Sequence, residues 1–278
     1  MKNKKVAAAV AIVLILICFV PVLLVFNRPK KLQCEIVCFG DSIMAGYYDS
    51  ATIPGYIESY SGRKTLNAAF GGLTMSAYFD NPKAGDASHL FSMVELSDAL
   101  VKRDFSLQMM ATKRDIGDYP QEWYGVTESL GAVDWDSVKY VFVAQGVNDY
   151  LLGKPLDDEN DKYNRSTFAG ALRTSIENVQ KALPDAKIIL LTPIYHWAGG
   201  ADEDCTERDL GGGTLLAYVD KDMEVAAEYG LICVDNFNGS GINRDNYKQY
   251  LYDGLHTLEE ANALIAQNII NNVEGLRK

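Results

Sequence analysis

The chain has 278 residues and a formal net charge of -11, long enough for one α/β domain with a large core. The charge is uneven: residues 1–31 hold six Lys/Arg and no Asp or Glu, so residues 32–278 carry 20 basic and 37 acidic residues, a net of -17. So acidic a domain disfavours nucleic acid or anionic lipid as a partner and suits a small neutral substrate or a sugar ester.

The first predicted element is a membrane helix. Val6 to Phe26 runs for 21 residues without a charge, between Lys2, Lys4, Lys5 and Arg28, Lys30, Lys31, which is long enough to cross a hydrocarbon core. Phe26-Asn27-Arg28 offers no small-x-small cleavage site, and Ile17 before Cys18 makes a poor lipoprotein box. The expectation is an uncleaved signal anchor over 1–31 that leaves a domain over 32–278 outside the cytoplasm; secretion after signal cleavage is the alternative. The flanking charges are balanced and do not set the orientation.

Beyond the anchor, apolar runs rich in β-branched residues predict strands at Glu35–Phe39, Thr65–Ala69, Lys139–Ala144, Lys187–Leu191 and Leu231–Val234. Between and after them, apolar residues at i, i+3, i+4 spacing predict helices at Ser88–Lys102, Ser166–Leu183, Thr214–Tyr229 and Leu258–Val273, as in Phe168, Leu172, Ile176, Val179 and Leu183. Short buried strands alternating with helices indicate a parallel sheet covered on both faces. Asp104–Trp135 and His196–Gly213 read as loops over the carboxyl edge of that sheet. No repeat or Pro/Ser-rich linker divides residues 32–278. Cys34 and Cys38 fall on one face of a strand about 13 Å apart, too far to pair. Cys233 reads as a core residue and Cys205 as unpaired. No Cys/His spacing resembles a metal site, and no cofactor is implied.

Four segments carry chemistry: Phe39-Gly40-Asp41-Ser42-Ile43-Met44-Ala45-Gly46, Asn67-Ala68-Ala69-Phe70-Gly71-Gly72, Gly146-Val147-Asn148-Asp149 and Asp253-Gly254-Leu255-His256. Gly40 lets the chain turn sharply after the first strand, so Ser42 stands at the sheet's carboxyl end, where open α/β sheets place their sites. Together the four segments resemble the blocks of the SGNH hydrolases, the GDSL family of esterases and lipases, with Ser42, Gly72, Asn148 and His256 in the family's order. The first block reads Gly-Asp-Ser-Ile where the family has Gly-Asp-Ser-Leu. The resemblance covers Gln33 to the C-terminus. It implies a single three-layer α/β/α domain with a mostly parallel five-stranded, flavodoxin-like sheet, here preceded by one transmembrane helix.

An ester hydrolase needs a nucleophile, a base, a group that orients the base, and donors where negative charge develops. Ser42 is the candidate nucleophile and His256 the base. Asp253, three residues upstream, can reach the imidazole Nδ1 and set its tautomer. The resemblance implies an oxyanion hole of the Ser42 and Gly72 backbone N–H groups and the Asn148 side-chain amide, with Gly71 as an alternative to Gly72. Asp41 and Asp149 read as turn-holding residues, His89 as a surface residue, and Tyr195, His196 and Trp197 as lining for the substrate pocket. There is no Gly-x-Ser-x-Gly elbow, which sets the chain apart from α/β-hydrolases.

The function these residues favour is a membrane-anchored, extracytoplasmic serine esterase that removes short acyl groups, acetyl foremost, from carbohydrate through an acyl-enzyme. Alternatives are an O-acyltransferase onto a cell-surface polysaccharide, a lipase, lysophospholipase or thioesterase, and a non-enzymatic surface-binding protein.

Overall fold

A computed structural model describes residues 31–46, 51–77, 88–113, 121–197 and 201–277. The chain divides into Met1–Leu32 and Gln33–Lys278, and the second unit holds the elements below. The expected membrane helix, Val6–Phe26, lies outside the described residues, among which no helix is long and apolar enough to cross a membrane.

Five strands form one parallel sheet: β1 (Ile36–Gly40), β2 (Thr65–Asn67), β3 (Tyr140–Ala144), β4 (Lys187–Leu191) and β5 (Ile232–Val234), in the order β2-β1-β3-β4-β5. All five residues of β1 are buried, as a strand covered on both faces requires. The described helices are α1 (Ser42–Ala45), α2 (Ile53–Ser61), α3 (Met93–Lys102), α4 (Ser106–Lys113), α5 (Gln121–Ala132), α6 (Val147–Leu151), α7 (Phe168–Ala182), α8 (Leu215–Tyr229), α9 (Asn236–Gly239), α10 (Tyr247–Tyr250) and α11 (Glu259–Asn272). The α2 crossover runs outward from β1, and the later crossovers run the other way across the sheet. Right-handed connections therefore put α2 on one face and α3, α7 and α8 on the other. The packing agrees: α2 lies against α11, and α3 against α7.

Local chemistry explains the elements. In α7 the Thr167 hydroxyl accepts from Gly170 N–H at 3.1 Å, capping the first turn. Phe168, Leu172, Ile176 and Val179 then form its buried stripe. Arg173 enters from the same helix, its side chain 5% exposed, and is held by Asp157 and Glu228. The cost of burying a guanidinium is met here by four charge-assisted bonds.

The structure departs from expectation in three places. Asp104–Trp135 is not an irregular loop: it contains α4 and α5. Gly125 and Gly131 in α5, and the exposed Leu107 and Met110 on α4, blur the apolar spacing. Tertiary packing restores the helices: α4 lies on α5, and Trp123 wedges against Phe70 and Phe91 at centroid distances of 5.4 and 4.9 Å. The expected helix Ser88–Lys102 breaks at Ser92 into a 3₁₀ turn (Ser88–Phe91) and α3. Finally, α2 stands where no element is expected from the sequence. Pro54 occupies the first helical turn, where its missing N–H costs nothing, and Thr52 caps it by accepting from Gly55 N–H.

Candidate active site

At the end of β1 a Cβ on Gly40 would collide with the Met44 side chain, so only glycine lets α1 begin this tightly. The Asp41 carboxylate caps α1 by accepting from Ile43 N–H at 2.9 Å, and Ser42 is its first residue. Gly40 lies beside Ala144 in the ladder, and Phe70 N–H donates to the Gly40 carbonyl at 3.0 Å. The turns after β1, β2 and β3 therefore share one edge of the sheet, and they carry Ser42, Gly71-Gly72 and Asn148 respectively.

Two adjacent side chains tie these turns together. Asn148 Nδ2 donates to the Leu73 carbonyl at 2.9 Å. The buried Asp149 carboxylate accepts from Met75 N–H at 2.7 Å and Ser76 N–H at 3.0 Å. Burial pushes Asp149 above the usual carboxylate range, against these hydrogen bonds. Gly72 has φ +77°, a conformation that admits glycine readily and strains other residues.

The fourth segment closes the constellation. Asp253 Oδ1 accepts from Leu255 N–H at 3.0 Å and His256 N–H at 2.8 Å, and its Oδ2 lies 2.7 Å from His256 Nδ1. A carboxylate can only accept, so Nδ1 carries the proton and donates. His256 Nε2 is then the acceptor for the Ser42 hydroxyl, 3.0 Å away. Burial pushes the Asp253 carboxyl up, but the hydrogen bonds from His256 and Leu255 outweigh it and hold it below the usual range. The loop is pinned at its base by a Leu251–Thr257 bridge and by Tyr252 N–H donating to the His256 carbonyl at 2.8 Å. Ser42, His256 and Asp253 are thus brought into one relay across 214 residues of sequence.

Tyr195, His196 and Trp197 are packed into the protein. Tyr195 and His196 are 3% and 2% exposed. The Tyr195 hydroxyl donates to Asp204 Oδ2 at 2.7 Å, and the His196 ring lies against Tyr150. Burial lowers His196 to about 4, so it stays neutral. Trp197 is partly buried, with its Nε1–H on the Ala201 carbonyl at 3.0 Å. Cys205 is buried and free, its sulfur accepting from His196 N–H. Two residues absent from the sequence reading, Asp204 and Arg244, join this cluster through an ion pair. Their 40-residue separation matches no motif; the one local signal was an Asx turn, with Asp204 Oδ1 accepting from Thr206 N–H.

Beneath the Ser42 turn lies a cavity of about 30 Å³, lined by Asp41, Met44, Gln145, Thr192, Asn236 and apolar neighbours. Asp41 is buried there. Burial above all, with the charge of Asp149 adding to it, pushes its carboxyl up to about 7 against the opposing Ile43 N–H and His256. An unfolded chain releases this proton near 3.8 and the folded chain near 7. Between those pH values the unfolded state binds fewer protons, so stability falls as pH rises. Asp41→Asn keeps an oxygen for Ile43 N–H and removes the titration. Relative to wild type, the variant is expected to gain on the order of 4 kcal/mol between pH 4 and 8; urea titrations at several pH values read the difference, and parallel curves for the two proteins would refute it.

A parallel α/β/α sandwich with a Ser–His–Asp relay at the carboxyl edge of its sheet has the architecture of a serine hydrolase. A profile of the GDSL-like lipase/acylhydrolase family matches residues 36–269; the chain belongs to that family, whose members are serine hydrolases of ester bonds. Solved structures share the fold. A possible lipase from Chitinophaga pinensis is 18% identical, covering 86% of this chain and 97% of its own, with a TM-score of 0.56. A candidate GDSL-like lipase from Parabacteroides merdae is 16% identical over 90% and 99%, with a TM-score of 0.56. A candidate arylesterase from Agrobacterium tumefaciens is 17% identical over 85% and 96%, with a TM-score of 0.52. A search of curated proteins finds no match.

Proposed function

We propose that this hydrolase removes short acyl groups, acetyl foremost, from carbohydrate at the outer face of a membrane, using Ser42, His256 and Asp253 as a triad. The observation that carries the mechanism is the Ser42 Oγ to His256 Nε2 distance of 3.0 Å, backed by the 2.7 Å contact of His256 Nδ1 with Asp253. His256 takes the hydroxyl proton as Ser42 Oγ attacks the ester carbonyl. The developing oxyanion is met by the N–H groups of Ser42 and Gly72 and the Asn148 amide, donors worth about 3–4 kcal/mol each. His256 then protonates the departing alcohol, and water, activated by the same imidazole, releases the acid from Ser42.

The 21 uncharged residues from Val6 to Phe26 support the anchor, and the net charge of -17 beyond residue 31 supports a neutral or sugar-ester substrate. The test assays the full-length chain in detergent on p-nitrophenyl esters of increasing acyl length and on acetylated oligosaccharides. Ser42-dependent turnover that falls steeply beyond short chains is the expected result. Preference for long acyl chains would replace the carbohydrate reading with a lipase. Accumulation of acyl-Ser42 without hydrolysis would replace it with acyl transfer to an absent acceptor.

A further inference from the structure

We propose that Arg244 is a positioning residue for the catalytic base, acting through Trp197 on the loop that carries Asp253 and His256; this rests on the triad reading above. The tip of that loop reaches solvent, with the Asp253 side chain 40% exposed and Tyr252 67% exposed, while Leu251 and Thr257 at its base are buried. Between the acid and the base, its Gly254 carbonyl accepts from Trp197 N–H at 2.9 Å. The aim of His256 therefore depends on the Trp197 backbone as well as on the bridge and the Tyr252 bond at the loop's base.

Trp197 is fixed from several directions. Its ring stacks on Tyr247 with centroids 5.6 Å apart and planes 29° apart, and its indole N–H is bound to Ala201. The Arg244 guanidinium lies 5.6 Å from the ring centroid, a cation–π contact. Arg244 is fixed in turn by Asp204 at 2.6 Å and Glu207 at 2.9 Å. The Asp204 side chain is fully buried and also accepts from the Tyr195 hydroxyl and from Thr206 N–H and hydroxyl. These bonds hold Asp204 ionised, down to about 2, so the anchor keeps its charge throughout the working pH range. The sequence thus builds a chain of contact from a buried carboxylate, through an exposed guanidinium and an indole, to the backbone between the catalytic acid and base. A base displaced by about 1 Å loses its line to Ser42, and a misplacement of that size costs up to about a hundredfold in rate.

Full-length Arg244→Ala and Arg244→Lys are compared with wild type and Ser42→Ala. Four readouts are taken: kcat and KM on p-nitrophenyl acetate, the rate of Ser42 phosphonylation by a fluorophosphonate, the low-field proton resonance of the His256 Nδ1–H, and the melting temperature. Arg244→Ala is expected to lose about tenfold or more in kcat and labelling rate. Its KM should stay within about twofold, its low-field resonance should weaken, and its melting temperature should fall while staying above the assay temperature, because the buried Asp204 loses a cationic partner but keeps its Tyr195 and Thr206 donors. Arg244→Lys should recover most of the loss. Wild-type kcat and resonance in Arg244→Ala would overturn the proposal, as would a raised KM with kcat intact, which makes Arg244 a substrate contact. A wild type that labels no faster than Ser42→Ala would instead overturn the triad itself.

Discussion

Ser42→Ala is expected to lower kcat by about 10⁴- to 10⁶-fold while leaving the fold intact. Among the described residues the hydroxyl hydrogen-bonds to His256 Nε2, and the cap of α1 belongs to Asp41. The truncation therefore removes the atom that attacks and little that holds the turn; the expected stability change is within about 1 kcal/mol. The proposed oxyanion donors remain, so a residual rate above the uncatalysed reaction is expected from them alone. The check is kcat on an ester the wild type turns over, beside a thermal melt. A folded variant within tenfold of wild type would remove Ser42 as the nucleophile.

Asp253→Asn is expected to cost about 10³- to 10⁴-fold in kcat, for a reason visible in the hydrogen bonds. Oδ1 holds two backbone N–H groups, and Oδ2 holds the imidazole. An asparagine satisfies the backbone pair with its single oxygen and then presents its NH2 to Nδ1. That nitrogen must become the acceptor, so the proton moves to Nε2, where it blocks transfer from Ser42. The loop keeps its backbone bonds, so the loss falls on kcat and spares stability. Because Asp253 is held below the usual carboxylate range, it stays ionised through mildly acidic pH and does not limit the rate there. The check is a pH–rate profile of both proteins. A variant that retains wild-type kcat at its optimum would show that the carboxylate does not set the tautomer.

The parts of this protein that were legible in its sequence are those where chain-local rules suffice. The strand Ile36–Gly40 is marked by its continuous apolar run, and α7 by the spacing from Phe168 to Val179. Asp253 and His256 are three residues apart, so one turn of loop delivers the acid to the base. The order of the four motifs sufficed to collect Ser42, the Gly71-Gly72 turn and Asn148, because parallel strands deliver every following turn to the same edge.

What the sequence by itself determined, then, is the α/β class and the parallel sheet, which follow from periodicity, and the identity of the candidate relay, which follows from four short motifs whose order resembles that of the SGNH hydrolases. Only the tertiary structure decided the rest. Helix α5 is held by Trp123 packing on Phe70 and Phe91, and α4 lies on α5. Tyr195 and His196 are buried by a loop that runs back over them, with Asp204 meeting the Tyr195 hydroxyl. Arg244 meets Asp204 across 40 residues, and Asp41 is pushed up to about 7 by the burial of its turn. Each of these depends on distances between chain segments that no local pattern encodes, and on desolvation that exists only once the segments have closed around a group.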